Sequence, residues 1–172
     1  MTNIKIKGKL TPPGDKSISH RSIMFGALSK GDTHIRGFLY GADCLSTISC
    51  FRQLGIDIED NKDTIVVHGK GLNCLSRPDD VLDVGNSGTT MRLLSGILCG
   101  QNFKYRITGD ASIRKRPMKR IITPLSQMGA DITSENNNDC APLFIDGRPL
   151  HGITYNSPIA SAQVKSSILL AG

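Results

Sequence analysis

Pro12-Pro13-Gly14-Asp15-Lys16-Ser17-Ile18-Ser19-His20-Arg21 places a turn, two cations and two hydroxyls directly ahead of an apolar helical run. The two prolines rule out a central strand, and Gly14 reaches backbone angles closed to other residues. Ser17 or Ser19 is the expected cap of the helix that follows, read as 18–29 with Ile23, Met24, Ala27 and Leu28 on its apolar side. Free N–H groups at a helix start beside Lys16 and Arg21 suit an anion such as a phosphate or carboxylate. A Gly-Asp turn and a solvated lysine explain the same residues, so the stretch alone leaves both readings open. It is not a Walker loop, because Asp15 directly precedes Lys16.

The stretch comes back, and its return decides the fold. Gly14–Arg21 lines up with Gly85-Asn86-Ser87-Gly88-Thr89-Thr90-Met91-Arg92. Gln53-Leu54-Gly55-Ile56-Asp57-Ile58 lines up with Gln127-Met128-Gly129-Ala130-Asp131-Ile132, and Val66-Val67-His68-Gly69 with Phe144-Ile145-Asp146-Gly147. A third copy begins at Ile153-Thr154-Tyr155 and has its first helix through Ser161-Ala162-Gln163-Val164-Lys165 to Leu170. Each unit reads β-α-β-α-β-β. Gly31 and Gly55 are expected helix stops, and Asp43 the cap of the second helix. Asp83 and Asp110 read as cap or turn residues.

Repeated units of this kind pack their helices together with sheets outside. Around a pseudo-threefold axis, three helix N-termini would meet on one face, each with a cation about one turn in: Arg21, Arg92 and Lys165. For Arg92 a structural ion pair and a ligand contact are both open. The third unit stops at Gly172, so the sequence is expected to be part of a longer protein.

Composition narrows the function. The chain has 172 residues, 38% apolar and 21% charged, as in an ordinary globular protein. Its apolar runs are too short to span a bilayer, and its N-terminus lacks a signal-peptide core. The net charge is +6, yet aromatics are only 5%, which favours small anions over nucleic acid. The dense cluster Arg114-Lys115-Arg116 with Lys119 and Arg120 also reads as a solvated basic face. Cys44, Cys50, Cys74, Cys99 and Cys140 are odd in number and lack a paired motif, and His20, His34, His68 and His151 lack metal-ligand spacing. Reduced thiols, no metal and a cytoplasmic setting are the expectation.

Four motifs in order carry a family resemblance: Pro13–Arg21, Gly85–Arg92, Gly109-Asp110 with Lys115-Arg116-Pro117-Met118, and Ser161-Ala162-Gln163. Together they resemble the signatures of the 5-enolpyruvylshikimate-3-phosphate synthases. The related UDP-N-acetylglucosamine enolpyruvyl transferases usually carry Ser-Gly-Ala-Lys-Asn at the first site, which this chain lacks; a relative of that kind is the alternative.

The resemblance implies an α/β (α+β) fold of two domains, each an inside-out α/β barrel of three β-α-β-α-β-β units. Residues 1–12 would then be a strand of the second domain. Residues 13–172 would be the N-terminal substrate-binding domain, its third repeat incomplete, and the second domain would be absent. It implies transfer of the enolpyruvyl group of phosphoenolpyruvate to the 5-hydroxyl of shikimate 3-phosphate, with release of phosphate, in aromatic amino-acid biosynthesis. No cofactor is implied, nor a nucleic-acid or membrane partner, and the full-length protein is expected to be a monomer.

By motif, Lys16 resembles a catalytic lysine shared by both substrates. Ser17, Arg21, Ser161, Ala162 and Gln163 resemble shikimate 3-phosphate ligands. Asn86, Gly88, Arg116 and again Gln163 resemble phosphoenolpyruvate ligands. The inhibitor glyphosate would overlap the latter site at Lys16, Gly88 and Arg116. The acid–base residues of the family lie in the second domain, so the chain alone is expected to be inactive. A stand-alone module for phosphorylated metabolites and a nucleic-acid binder are the rival classes.

Overall fold

The computed structural model describes residues 7–172. The strand expected at Ile4-Lys5-Ile6, and with it the first half of the 1–12 segment, lies outside the described residues.

The first unit runs α1 (Lys16–Leu28), β1 (Lys30–Arg36), α2 (Ala42–Gln53), β2 (Asp57–Asp60) and β3 (Thr64–Lys70). The second runs β4 (Leu82–Asp83), α3 (Gly88–Cys99), β5 (Lys104–Thr108), α4 (Lys119–Gln127), β6 (Asp131–Ser134) and β7 (Leu143–Asp146), with a 3-10 turn at Ile113–Lys115. The third contributes α5 (Ala162–Ala171).

The repeat is real in three dimensions. In each of the first two units the last two strands form an antiparallel hairpin, β2 with β3 and β6 with β7. The strand after the first helix joins each hairpin, giving the orders β1-β3-β2 and β4-β5-β7-β6. β4 pairs in parallel with β5. Strand faces alternate: Ile58, Ile107, Ile132 and Ile145 are buried, whereas their neighbours Glu59, Arg106, Asp131 and Phe144 are exposed. The sheets therefore cover a helical core from outside, and they do not close into a barrel.

α3 is the centre of that core. All its residues but Thr89 are buried, as its apolar sequence requires. α5 packs on it so closely that a Cβ on Gly96 would stand 2.2 Å from the Ser167 carbonyl oxygen. α1 buries Ile23, Met24 and Ala27 as expected, with Leu28 half-buried at the margin.

Several local expectations need correction. The cap of α1 is Asp15, whose carboxylate accepts from the Ile18 N–H at 2.7 Å, rather than Ser17 or Ser19. Ser19 is buried; its hydroxyl donates to the Asp15 carbonyl at 2.8 Å and accepts from the Leu39 N–H at 2.9 Å. Gly31 does not end α1, which stops at Ser29; it lies within β1, opposite Gly69, at φ +92°. The cap of α2 is Gly41, with no side-chain bond. Asp43 instead sits in the first turn of α2 and pairs with Lys16. Ile153-Thr154-Tyr155 joins no sheet. In the second unit the matching β4 relies on a strand that follows its helix, and no strand follows α5 here.

Candidate anion site

Each first helix of a unit begins with a side-chain cap: Asp15 for α1, Ser87 for α3 and Ser161 for α5. One side-chain acceptor serves one or two orphan N–H groups, so the others remain available to an anion. The first turns of all three helices line one cleft of about 210 Å³, built from Ser17, Arg21, Thr89, Leu93, Ala162, Gln163 and Ser166. Thus Ser17, Arg21, Ala162 and Gln163, read separately from the sequence, come together. Ser161 does not line this cleft; its hydroxyl caps α5 by accepting from the Val164 N–H at 3.4 Å. Lys165 lines a different surface, with Ile153, Tyr155 and Leu169.

A second group lies at the start of α3. The Arg116 guanidinium donates to the Asn86 side-chain oxygen and, at 3.3 Å, to the Ser112 hydroxyl. The Asn86 amide in turn donates to Asp110 at 2.8 Å. Asp110 also accepts from the N–H groups of Ser112 and Ile113, at 2.9 and 2.8 Å. Those bonds, from Ile113 first and then Asn86, hold its carboxyl below the usual range. Asp110 is therefore a turn residue, as expected, and so is Asp83, which accepts from the Gly85 N–H at 2.8 Å.

Gly88 stands beneath these cations. A Cβ there would lie 2.7 Å from one Arg92 nitrogen and 3.2 Å from one Arg116 nitrogen. Glycine lets both guanidinium groups close over the α3 N-terminus.

Arg92 joins the two groups. It is 6% exposed, and its Nη1 donates to Gln163 Oε1 at 2.7 Å and to the Gly88 carbonyl at 3.3 Å. Its Nε is buried with no partner. Burial first, then Arg120 and Arg116 nearby, lower its pKa to about 10, so it stays charged at neutral pH. Among the described residues no carboxylate comes within 4.0 Å of Arg21, Arg92 or Arg116. The ion pair left open for Arg92 is thus not formed. Uncompensated cations around helix N-termini make a site that an anion would neutralise.

Lys16 lies outside the cleft lining, at the very start of α1, and its ammonium pairs with Asp43 at the start of α2. Below it, His20 Nδ1 is 2.7 Å from the Thr47 hydroxyl, which is 2.7 Å from that of Thr90. His20 is fully buried; burial, then the Lys16 charge, pull its pKa down to about 4, so the ring is neutral. Sequence reasoning missed Asp43 as a partner of Lys16, and also Thr89 and the His20 contacts. In the basic cluster, Lys119 pairs with Asp139 at 3.3 Å, and Arg114 donates to the Gly109 carbonyl at 2.7 Å.

All five cysteines are free. Among the described residues no helix is long and apolar enough to cross a membrane, and no three His, Cys, Asp or Glu side chains cluster as metal ligands.

Comparison with known proteins gives the family. Residues 2–172 match the family model described as EPSP synthase (3-phosphoshikimate 1-carboxyvinyltransferase). A 3-phosphoshikimate 1-carboxyvinyltransferase of Alkaliphilus metalliredigens is 62% identical over 168 residues, covering 98% of this chain and 40% of that protein. One from Bacillus thuringiensis is 60% identical over 170 residues, covering 99% and 40%. The solved EPSP synthase from Acinetobacter baumannii superposes with a TM-score of 0.93 at 54% identity, covering 96% of this chain and 38% of that one. The chain thus spans about 40% of the length of the curated relatives it matches. On four ordered motifs, the repeated fold and these matches, the chain belongs to the EPSP synthase family.

Proposed function

We propose that this chain forms the half-site that grips the anions in transfer of the enolpyruvyl group from phosphoenolpyruvate to the 5-hydroxyl of shikimate 3-phosphate. The observation that carries the proposal is the single cleft lined by the first two turns of α1, α3 and α5, with Arg92, which pairs with no carboxylate among the described residues, joined to it through Gln163. Both substrates carry a phosphate and a carboxylate. Bringing them together opposes like charges, which several cations and backbone donors offset.

In this reading Ser17, Arg21, Ala162 and Gln163 face shikimate 3-phosphate, with Arg21 on the carboxylate through paired donors. Ser161 contributes through the start of α5. Asn86, Gly88 and Arg116 hold phosphoenolpyruvate, and Gln163 reaches both. Lys16 exchanges Asp43 for the substrates and is the catalytic cation of this half. Glyphosate would compete at Lys16, Gly88 and Arg116.

The reaction protonates the methylene carbon, adds the hydroxyl to the neighbouring carbon and then expels phosphate. It needs a general acid and base at those carbons. The carboxylates at these helix starts are engaged: Asp15 caps α1, Asp43 pairs with Lys16, and Asp110 is held in the Asn86 turn. We therefore assign the proton chemistry to a second domain. In the full-length enzyme, residues 1–12 would supply that domain with a strand, and the three units would complete an inside-out barrel. The enzyme would be a cytoplasmic monomer. The chain alone binds shikimate 3-phosphate but does not turn over.

The test pairs a titration with an assay on purified 1–172. Saturable shikimate 3-phosphate binding, lost in Lys16→Ala, supports the reading. Salt-sensitive binding of a generic oligonucleotide alone would reverse it. A clear steady-state release of phosphate from both substrates would overturn the assignment of proton chemistry elsewhere.

A further inference from the structure

Beneath the site runs a chain of four fully buried polar side chains: His20, Thr47, Thr90 and Ser87. His20 Nδ1 lies 2.7 Å from Thr47 Oγ1, Thr47 Oγ1 lies 2.7 Å from Thr90 Oγ1, and Thr90 Oγ1 lies 2.6 Å from Ser87 Oγ. Both threonine hydroxyls also approach the Asp43 carbonyl, at 3.4 Å each. The chain crosses three helix starts, since His20 is on α1, Thr47 on α2, Thr90 on α3 and Ser87 caps α3.

Each link is adjacent to a residue of the site. His20 precedes Arg21 and lies one turn beyond Lys16. Thr47 lies one turn beyond Asp43, the partner of Lys16. Ser87 sits between Asn86 and Gly88, and its hydroxyl accepts from the Thr90 N–H at 3.1 Å. Ile23, Ile48 and Met91 are buried on the same three helices. Apolar side chains of the same shape would fill such a place with little change in stability. Directional bonds do something packing does not: they select one register of the three helices.

We propose that this chain is a positioning device for the anion site. It sets α1, α2 and α3 so that the Lys16–Asp43 pair, Arg21 and the Asn86–Gly88 turn face the same anion, and none of its four members touches that anion. The inference rests on the reading of the site given above.

The experiment is a calorimetric titration of the 172-residue chain with shikimate 3-phosphate, alongside its thermal unfolding. Thr47→Val, which leaves His20 Nδ1 without its partner, is expected to fold and to melt up to about 10 degrees below the parent, but to bind about tenfold more weakly, because small displacements of binding groups are costly. Thr47→Ser, which keeps the hydroxyl, restores the affinity. A folded Thr47→Val with parental affinity overturns the proposal. Should Thr47→Val fail to fold, the triple variant His20→Leu/Thr47→Val/Thr90→Val removes the threonine and histidine links together and is judged by the same two outcomes. Failure of both variants to fold makes the chain a structural element and also overturns the proposal. Lys16→Ala separates the levels. If it binds like the parent, or the parent shows no saturable binding, the reading of the site fails and takes the inference with it. If Lys16→Ala loses binding while Thr47→Val keeps it, the inference alone fails.

Discussion

Gln163 holds Arg92 through its amide oxygen at 2.7 Å, while its amide nitrogen donates to Thr89 at 3.0 Å, so one side chain fastens α5 to the start of α3. The guanidinium it holds is buried and, among the described residues, meets no carboxylate. Gln163→Ala would leave that charge with the Gly88 carbonyl alone. The expected cost is about 1–3 kcal/mol, as for a buried group that loses its partner. Urea unfolding measures it, and a change below a few tenths of a kcal/mol would show that the bond is idle.

Gly88→Ala tests the crowding of cations above α3. The added methyl meets the ends of Arg92 and Arg116; Arg116 can swing aside, whereas Arg92 is buried and held by Gln163. Stability should fall by about 1–3 kcal/mol as the Arg92–Gln163 bond gives way, while affinity for a small phosphate falls several-fold because both guanidinium groups are displaced. Unfolding and phosphate titration on the same samples separate the two effects. A large stability loss with intact binding would contradict this account.

Gly96→Ala probes the opposite end of the same packing. Here the obstacle is backbone, the Ser167 carbonyl at 2.2 Å from an added Cβ, so the helices must part. The expected loss is about 1–3 kcal/mol, typical of overpacking. Limited proteolysis should then cut between α4 and α5, where the parent resists. Equal resistance in the variant would show that α5 is held without this contact.

His20 makes stability depend on pH. Its folded-state pKa of about 4 lies below the ordinary value of 6.5, so the unfolded chain takes up the proton first. The contribution is complete above pH 6.5 and is lost as pH falls towards 4. Its full size is about 3 kcal/mol, from the separation of the two values. Unfolding free energies at pH 7.5 and 4.5 should differ less in His20→Gln than in the parent by most of that amount. Parallel slopes would mean that the ring is not buried neutral.

What was legible in the sequence follows from which forces are local. The largely apolar run of α3 announced its burial, and the paired Gln-Leu-Gly and Gln-Met-Gly segments announced the two hairpins, because turn chemistry and periodicity are written in neighbouring residues. Four of the cleft residues, Ser17, Arg21, Ala162 and Gln163, were legible as motifs. Their convergence was legible only through the repeat.

The failures have a geometric cause. Arg21 follows its cap Asp15 by six positions, Arg92 follows Ser87 by five and Lys165 follows Ser161 by four. Each position turns a helical side chain by about 100°. The three cations therefore do not point the same way, and Lys165 faces another surface. Asp43 read as a cap because its attraction to Lys16 spans two helices. The His20–Thr47–Thr90 contacts likewise join residues that no sequence window contains.

The central claim is that three helix starts distant in sequence form one anion site. Amide shift mapping on the labelled 172-residue chain during shikimate 3-phosphate titration tests it most directly. The account predicts that amides within 16–21, 88–93 and 161–166 shift together along one saturable curve, and that Arg21→Ala flattens all three. Shifts confined to the exposed basic segment 114–120, or three segments titrating with different midpoints, would contradict it.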